Sequence, residues 1–322
     1  MAAANQASAV VGGDATKGWG SRLARFWNSD FCYSFRHAPM AVIAFTALML
    51  CMVFGIFAPL LAPYDPHDLA TINVMDSLIP PALAPGGSWE HILGTDAQGR
   101  DLLSAILYGL RSSLFIATSS VIFALFVGIA LGLVSGFFGG VVDAIIMRVI
   151  DVMLSFPSLL VALLVTGIVT ALVPQGWMGA LQAYVLIFAI GFSSWPKFAR
   201  TVRAGVLVQR NKEFVLAAEI MGVSATRIIL KHILPNVLSS LLVIATLTFG
   251  LAILDEATLS FLGVGLPPTH PSLGTLIRLG NDTIYSGEWW IAVFPTIMLV
   301  TLVLGVNLFG DWLRDAINPR LR

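Results

Sequence analysis

Apolar residues run without a charge through six stretches of the chain: Met40–Ala62, Leu114–Phe138, Val152–Val173, Trp177–Trp195, Val237–Leu254 and Trp289–Phe309. A bilayer core requires a helix of roughly 20 apolar residues, and these stretches have that length. The pattern predicts an all-α integral membrane protein with six transmembrane helices. The third stretch is expected to begin earlier, near Ala144, because Arg148 and Asp151 stand one helical turn apart and are spaced to pair at the membrane surface. The first stretch exceeds the roughly 7–15 residues of a signal-peptide core, and no small-residue cleavage site follows closely, so it is expected to remain as an anchor.

The polar segments between these stretches set the topology. Six spans put both termini on one side. That side carries 15 Lys and Arg residues, seven of them between Lys197 and Lys231, whereas the opposite side has only Arg100, Arg111 and Arg278. The positive-inside rule then places both termini and the segment 197–235 in the cytoplasm. Residues 1–38 form a polar cytoplasmic segment, and residues 39–322 a single transmembrane domain.

Composition agrees with this reading. The chain is 57% hydrophobic and 11% charged, against about 25% charged in a typical soluble domain. Its formal net charge of zero suggests no nucleic-acid partner. Cys32 and Cys51, in a polar segment and an apolar run, are expected to form neither a disulfide nor a metal site.

The outer segment 63–113 is acidic and proline-rich, with Pro63, Pro66, Pro80, Pro81 and Pro85. Prolines at that density block a long helix, while Asp101–Arg111 can form one. The expectation is a small folded loop capped by a surface helix. In the second span Ser120, Ala124, Gly128, Gly132, Gly136 and Gly140 recur every four residues. Such a stripe reads as a helix-packing face rather than a solute groove.

The cytoplasmic stretch "EFVLAAEIMGVSATRIILKHILPN" (Glu213–Asn236) has its own grammar. Helix formers run from Glu213 to Met221, Gly222 can take the left-handed conformation that ends a helix, and Ser224 can cap the next. Arg227 and Lys231 fall four apart on one face of that second helix. Pro235 fits the first turn of the fifth span, where its missing N–H is not needed. Two explanations stand for the seven basic residues: a topology signal near anionic lipid, or a surface for docking a protein. The glycine elbow and the leftover apolar faces speak for docking.

"LAAEIMGVSATRIILKHILPN" resembles the EAA motif of bacterial ABC importer permeases, with Ala217, Ala218, Gly222, Leu234 and Pro235 at the motif's spacing and Leu216 where the motif usually has Glu. "LGTDAQGRDLLSAILYGLRSSL" (Leu93–Leu114) is similar to the outer-loop signature of the C-type subunit of dipeptide and oligopeptide (nickel) permeases, carried by Gly94, Thr95, Asp96, Gly99, Arg100 and Asp101. "LSFLGVGLPP" (Leu259–Pro268) and "FGDWLRDAINPRLR" (Phe309–Arg322) resemble the late loop and tail of the same branch.

The resemblance implies an ABC importer permease fold with a cytoplasmic coupling helix, in a bacterial inner membrane. It implies a second permease subunit forming a heterodimer around the path, two cytoplasmic ATPase subunits carrying ATP and Mg, and an outer substrate-binding protein. Ala217, Ala218, Gly222, Ser224, Arg227, Lys231, Leu234 and Pro235 would couple to the ATPase. Substrates of the branch include dipeptides, oligopeptides, glutathione-like peptides, opines and nickel chelates; peptides are the commonest.

No lysine of this chain stands in a phosphate-cradling G-x-x-x-x-G-K-[ST] loop. The five histidines show no zinc or triad spacing. No enzyme activity and no bound cofactor or metal are therefore expected. The alternative, a stand-alone secondary transporter or channel, calls for an intramembrane ionisable residue; the nearest are Asp255 and Glu256, read as lying at the outer end of the fifth span.

Overall fold

A computed structural model describes residues 30–66 and 74–317. Among these the chain is helical, and its only β contact is an isolated bridge between Thr95 and Asp101. A short helix α1 (Asp30–Arg36) precedes α2 (Pro39–Ile56) and the single turn α3 (Ala58–Leu61). The long helix α4 (Leu102–Phe138) is followed by α5 (Gly140–Leu154), α6 (Ser158–Leu172) and α7 (Gln175–Arg210). The elbow helices α8 (Glu213–Ile220) and α9 (Ala225–Ile228) lead through a π-helical turn, Ile229–Ile233, into α10 (Leu234–Phe261). Helices α11 (Leu273–Thr283) and α12 (Trp290–Ile317) complete the order.

Among the described residues, four helices are long and apolar enough to cross a bilayer: α2, α4, the Ser240–Phe261 part of α10, and α12. Helices α5 and α6 pass as a fifth span only when taken together, and they meet at 94°. The sequence reading joined these residues into one span. Pro157 explains the break: a residue before proline is pushed out of the α region, and Ser155, Phe156 and Pro157 form the corner. The fourth apolar stretch, Trp177–Trp195, lies within the 36-residue α7, which continues past Pro196 to Arg210.

Helix α4 forms the centre. At 1.5 Å per residue its 37 residues extend about 55 Å, well beyond a bilayer core, so the surface helix and second span foreseen from sequence are one continuous rod. Its small-residue stripe packs on α7. A Cβ added to Gly128 would lie 2.5 Å from Phe198 Cβ, one on Gly132 2.6 Å from the Ala199 carbonyl oxygen, and one on Gly136 2.7 Å from Val206 Cβ. Gly140 does not share this contact; it opens α5 with nothing within 4 Å.

Charged pairs pin α5 beside α7. Arg203 grips Asp143 at 2.5 and 2.6 Å, and Ser135 of α4 donates to the same carboxylate. Asp151 pairs with Arg200 at 2.5 Å, not with Arg148 as its spacing suggested. Aromatic contacts fasten the first and last helices: Phe35 against Trp312 and Phe45 against Phe309, with centroids 4.9 and 5.2 Å apart.

Candidate functional site

The elbow is built by a glycine stop. Gly222 takes φ +75°, its N–H donates to the Glu219 carbonyl, and the Val223 N–H reaches back to Ala218, both at 3.0 Å. These two bonds are the paired closure of a helix ended by a left-handed residue. Ser224 stands at the start of α9, where its backbone carbonyl accepts from Arg227 and Ile228. Its side chain makes no capping bond, contrary to the sequence expectation.

Beyond α9 the chain does not restart as a separate helix at Pro235. It winds through the π-turn, with the Leu234 N–H bonded to Ile229. A proline lacks an N–H and crowds the carbonyl four residues back; widening the preceding turn lets α9 run into α10 as one strut. Arg227, just before this widened turn, and Lys231, within it, are exposed.

One side of the elbow is anchored. Val215, Ala218, Ile228 and Ile233 are buried, and Val237 sits against Gly205 of α7. The other side is an apolar tip, with Ile220 88% and Met221 73% exposed beside the exposed Leu216 and Leu230. Among the sequence-predicted positions, Ala218 is buried and Leu234 half-buried, while Ala217, Gly222, Ser224 and Pro235 are exposed. Leu216 and Glu219 are both exposed too.

The residues of the Leu93–Leu114 signature come together as a second, buried site at the start of α4. Gly94 and Gly99 turn the chain at φ +82° and +78°. The Asp96 carboxylate accepts from the N–H groups of Gln98 and Arg100 at 2.8 and 3.0 Å and from Arg100 Nε at 2.7 Å. Asp101 caps α4 by accepting from the N–H and hydroxyl of Ser104 at 2.8 and 2.7 Å, with His91 Nδ1 3.1 Å away. Thr95 receives the Ile79 N–H on its hydroxyl and donates to the Asp76 carbonyl, and its own carbonyl accepts from Trp290 Nε1 at 3.2 Å. Arg100 Nη1 donates to the Pro268 carbonyl at 2.6 Å. The cluster locks the segment before α4 to the loop after α10 and to the start of α12.

Sequence reasoning missed the role of Glu256. The apolar span of α10 continues through Phe261, so Asp255 and Glu256 lie inside it. Glu256 is fully buried and accepts from Ser113 of α4 and Ser260, each at 2.7 Å. Ser113 also receives the Leu273 N–H that opens α11, at 3.3 Å. The signal available was the adjacent acidic pair at the end of an apolar run.

Among the described residues no group of His, Cys, Asp and Glu is arranged to hold a metal ion. The site residues form an elbow with an exposed apolar tip and a buried polar lock.

Residues 128–322 match the family described as binding-protein-dependent transport system inner membrane component, and residues 25–81 match the N-terminal TM domain of oligopeptide transport permease C. The chain is 39% identical over 303 residues to the di/tripeptide transport system permease protein DppC of Pseudomonas aeruginosa, covering 94% of this chain and 93% of that one. It is 39% identical over 296 residues to the dipeptide transport system permease protein DppC of Escherichia coli, covering 91% and 93%. The Haemophilus influenzae DppC is 36% identical over 293 residues, covering 91% and 95%. In fold, the chain is similar to a solved inward-facing structure of the MetNI methionine ABC transporter, with a TM-score of 0.50, 18% identity, and coverage of 66% of this chain and 96% of that one. With helices as its regular structure among the described residues, several of them apolar and membrane-long, and with matches over most of its length, the chain is a multi-pass inner-membrane permease subunit and belongs to the binding-protein-dependent transport system inner membrane component family.

Proposed function

We propose that this chain is one permease subunit of an ATP-driven dipeptide importer. The observation that carries the reading is the near-full-length similarity to dipeptide transport system permeases, joined to an elbow whose apolar tip faces outward from an anchored base.

The elbow, within residues 197–235, is the coupling element. Ala217, Ala218, Gly222, Ser224, Arg227, Lys231, Leu234 and Pro235 shape it, and Ile220 and Met221 supply the surface that enters a groove on a cytoplasmic ATPase. Because α7 ends just before the elbow and the π-turn joins it to α10, a push on the tip moves both helices together. ATP and Mg bind the two ATPase subunits. A second permease subunit completes the path, and an outer binding protein delivers the peptide. Six spans, with α5–α6 and α7 supplying the third and fourth, place both termini in the cytoplasm. Residues 1–38 form a cytoplasmic segment before the transmembrane domain 39–322, and the outer segment 63–113 faces the binding protein, locked through Gly94, Thr95, Asp96, Gly99, Arg100 and Asp101.

The test is uptake into proteoliposomes. The complete transporter, with binding protein and ATPases, is expected to accumulate labelled dipeptide only with ATP inside or at the ATPase face. Flux through the isolated chain without ATPases would instead establish the stand-alone carrier.

A further inference from the structure

A cavity of about 480 Å³ opens between the end of α6, the start of α7, the loop after α10 and helix α11, within the size range of small-ligand pockets. It borders Pro268, so it lies at the same end of the bundle as the Arg100 lock. Two of its lining side chains carry buried polar atoms with no hydrogen-bond partner: Arg278 Nε and Thr170 Oγ1. Among the described residues Arg278 forms no ion pair. Gln182 is already engaged, donating to the Val264 carbonyl at 3.1 Å.

A guanidinium does not lose its proton in a protein, and a partly buried positive charge without a counter-charge is costly. Its planar fork matches a carboxylate, which can take two parallel N–H bonds. The Thr170 hydroxyl adds a further donor in the same cavity. The space is kept open by Gly167 and Gly179, where an added Cβ would meet nothing within 4 Å.

We infer that Arg278 and Thr170 form a carboxylate-binding subsite for the C-terminal carboxylate of the transported peptide. The inference rests on the dipeptide reading and locates, within this chain, where the peptide is held after release from the binding protein.

The experiment uses the intact transporter, purified with its partner permease and ATPases but without the binding protein. Its thermal unfolding is followed while Ala-Ala, the C-terminal amide of Ala-Ala, or acetate is titrated to millimolar concentration. Ala-Ala is expected to raise the Tm, and the amide and acetate to do so far less. Arg278→Gln should weaken the apparent Kd for Ala-Ala by roughly tenfold or more, as loss of a charged hydrogen bond implies, while Arg278→Lys recovers part. Gly167→Leu, which fills the open space, should also weaken it without lowering the unliganded Tm. An unchanged Kd in Arg278→Gln, equal response to the amide, or an equal response to acetate overturns the subsite. If ATP-driven Ala-Ala uptake persists in the wild type while the subsite fails, the dipeptide reading survives alone; absence of that uptake overturns both.

Discussion

Arg100 and Pro268 are 168 residues apart in sequence, yet Arg100 Nη1 donates to the Pro268 carbonyl at 2.6 Å. The same guanidinium pairs with Asp96, and both side chains are almost wholly buried. Removing one member of a buried pair leaves an uncompensated charge, at a cost of about 3–5 kcal/mol. Arg100→Ala should therefore lower the Tm of the purified complex sharply and reduce its amount in the membrane. Arg111→Ala, at an exposed position, should leave the Tm nearly unchanged.

The α4–α7 contact is set by missing side chains. Valine at Gly132 would meet the Ala199 carbonyl at 2.6 Å and Val202 Cβ at the same distance. Neither helix can easily retreat, because Ser135 of α4 and Arg203 of α7 both bind the Asp143 carboxylate of α5. Overpacking of this kind costs about 1–3 kcal/mol, so Gly132→Val should depress the Tm. Gly167→Ala, in open space on α6, should be neutral or gain up to about 1 kcal/mol from helix propensity. Thermal unfolding of the two variants side by side checks the contrast.

Much of this architecture was legible in the sequence, because lipid-facing helices announce themselves by length and by exclusion of charge. The small-residue stripe announced a close helix contact, and Gly222 announced a helix stop. What the apolar pattern cannot show is where a helix continues beyond the bilayer. Helix α4 runs unbroken through Arg111, and α7 reaches Arg210, because hydrogen bonding and tertiary packing sustain a helix in water as well as in lipid. The α5–α6 corner was readable from Pro157 but was masked by the apolar residues around it. The residues of the lock stood out in the sequence only through their resemblance to a loop signature, and their partners Pro268 and Trp290 come from distant parts of the chain. Glu256 and the Arg278 cavity depend on the same long-range assembly.

The elbow's exposed tip gives a prediction about coupling. Ile220 and Met221 contribute little to the fold at their degree of exposure, so Ile220→Asp combined with Met221→Asp should leave the unfolding free energy within about 1 kcal/mol of wild type and the Tm nearly unchanged. An apolar tip entering a groove cannot carry two carboxylates without a large desolvation cost. Peptide-stimulated ATP hydrolysis by the reconstituted transporter should then fall at least tenfold. Retention of full stimulation would remove the tip from the coupling path. Gly222→Ala would act differently, straining the left-handed turn by about 1–2 kcal/mol and lowering both stability and coupling.

Glu256 joins three elements that the apolar pattern presents as independent. Its two carboxylate oxygens accept from Ser113 on α4 and from Ser260 one turn further along α10, and Ser113 in turn receives the N–H at the start of α11. Truncation to alanine deletes the acceptor and strands two buried hydroxyls, each worth about 1–3 kcal/mol when left without a partner. Glutamine keeps one carbonyl acceptor of the same reach, and a serine hydroxyl can turn to accept from the new amide. Glu256→Ala should therefore lower the Tm far more than Glu256→Gln. Ser113→Ala should fall between them, because it frees one carboxylate oxygen and the Leu273 N–H together. A double-mutant cycle between Ser113→Ala and Glu256→Gln, read by thermal unfolding of the assembled complex, should show coupling well above 0.5 kcal/mol in order of magnitude, as residues of one hydrogen-bond network do. Strict additivity would mean that α4, α10 and α11 are held together by packing alone, with the carboxylate contributing nothing to their alignment.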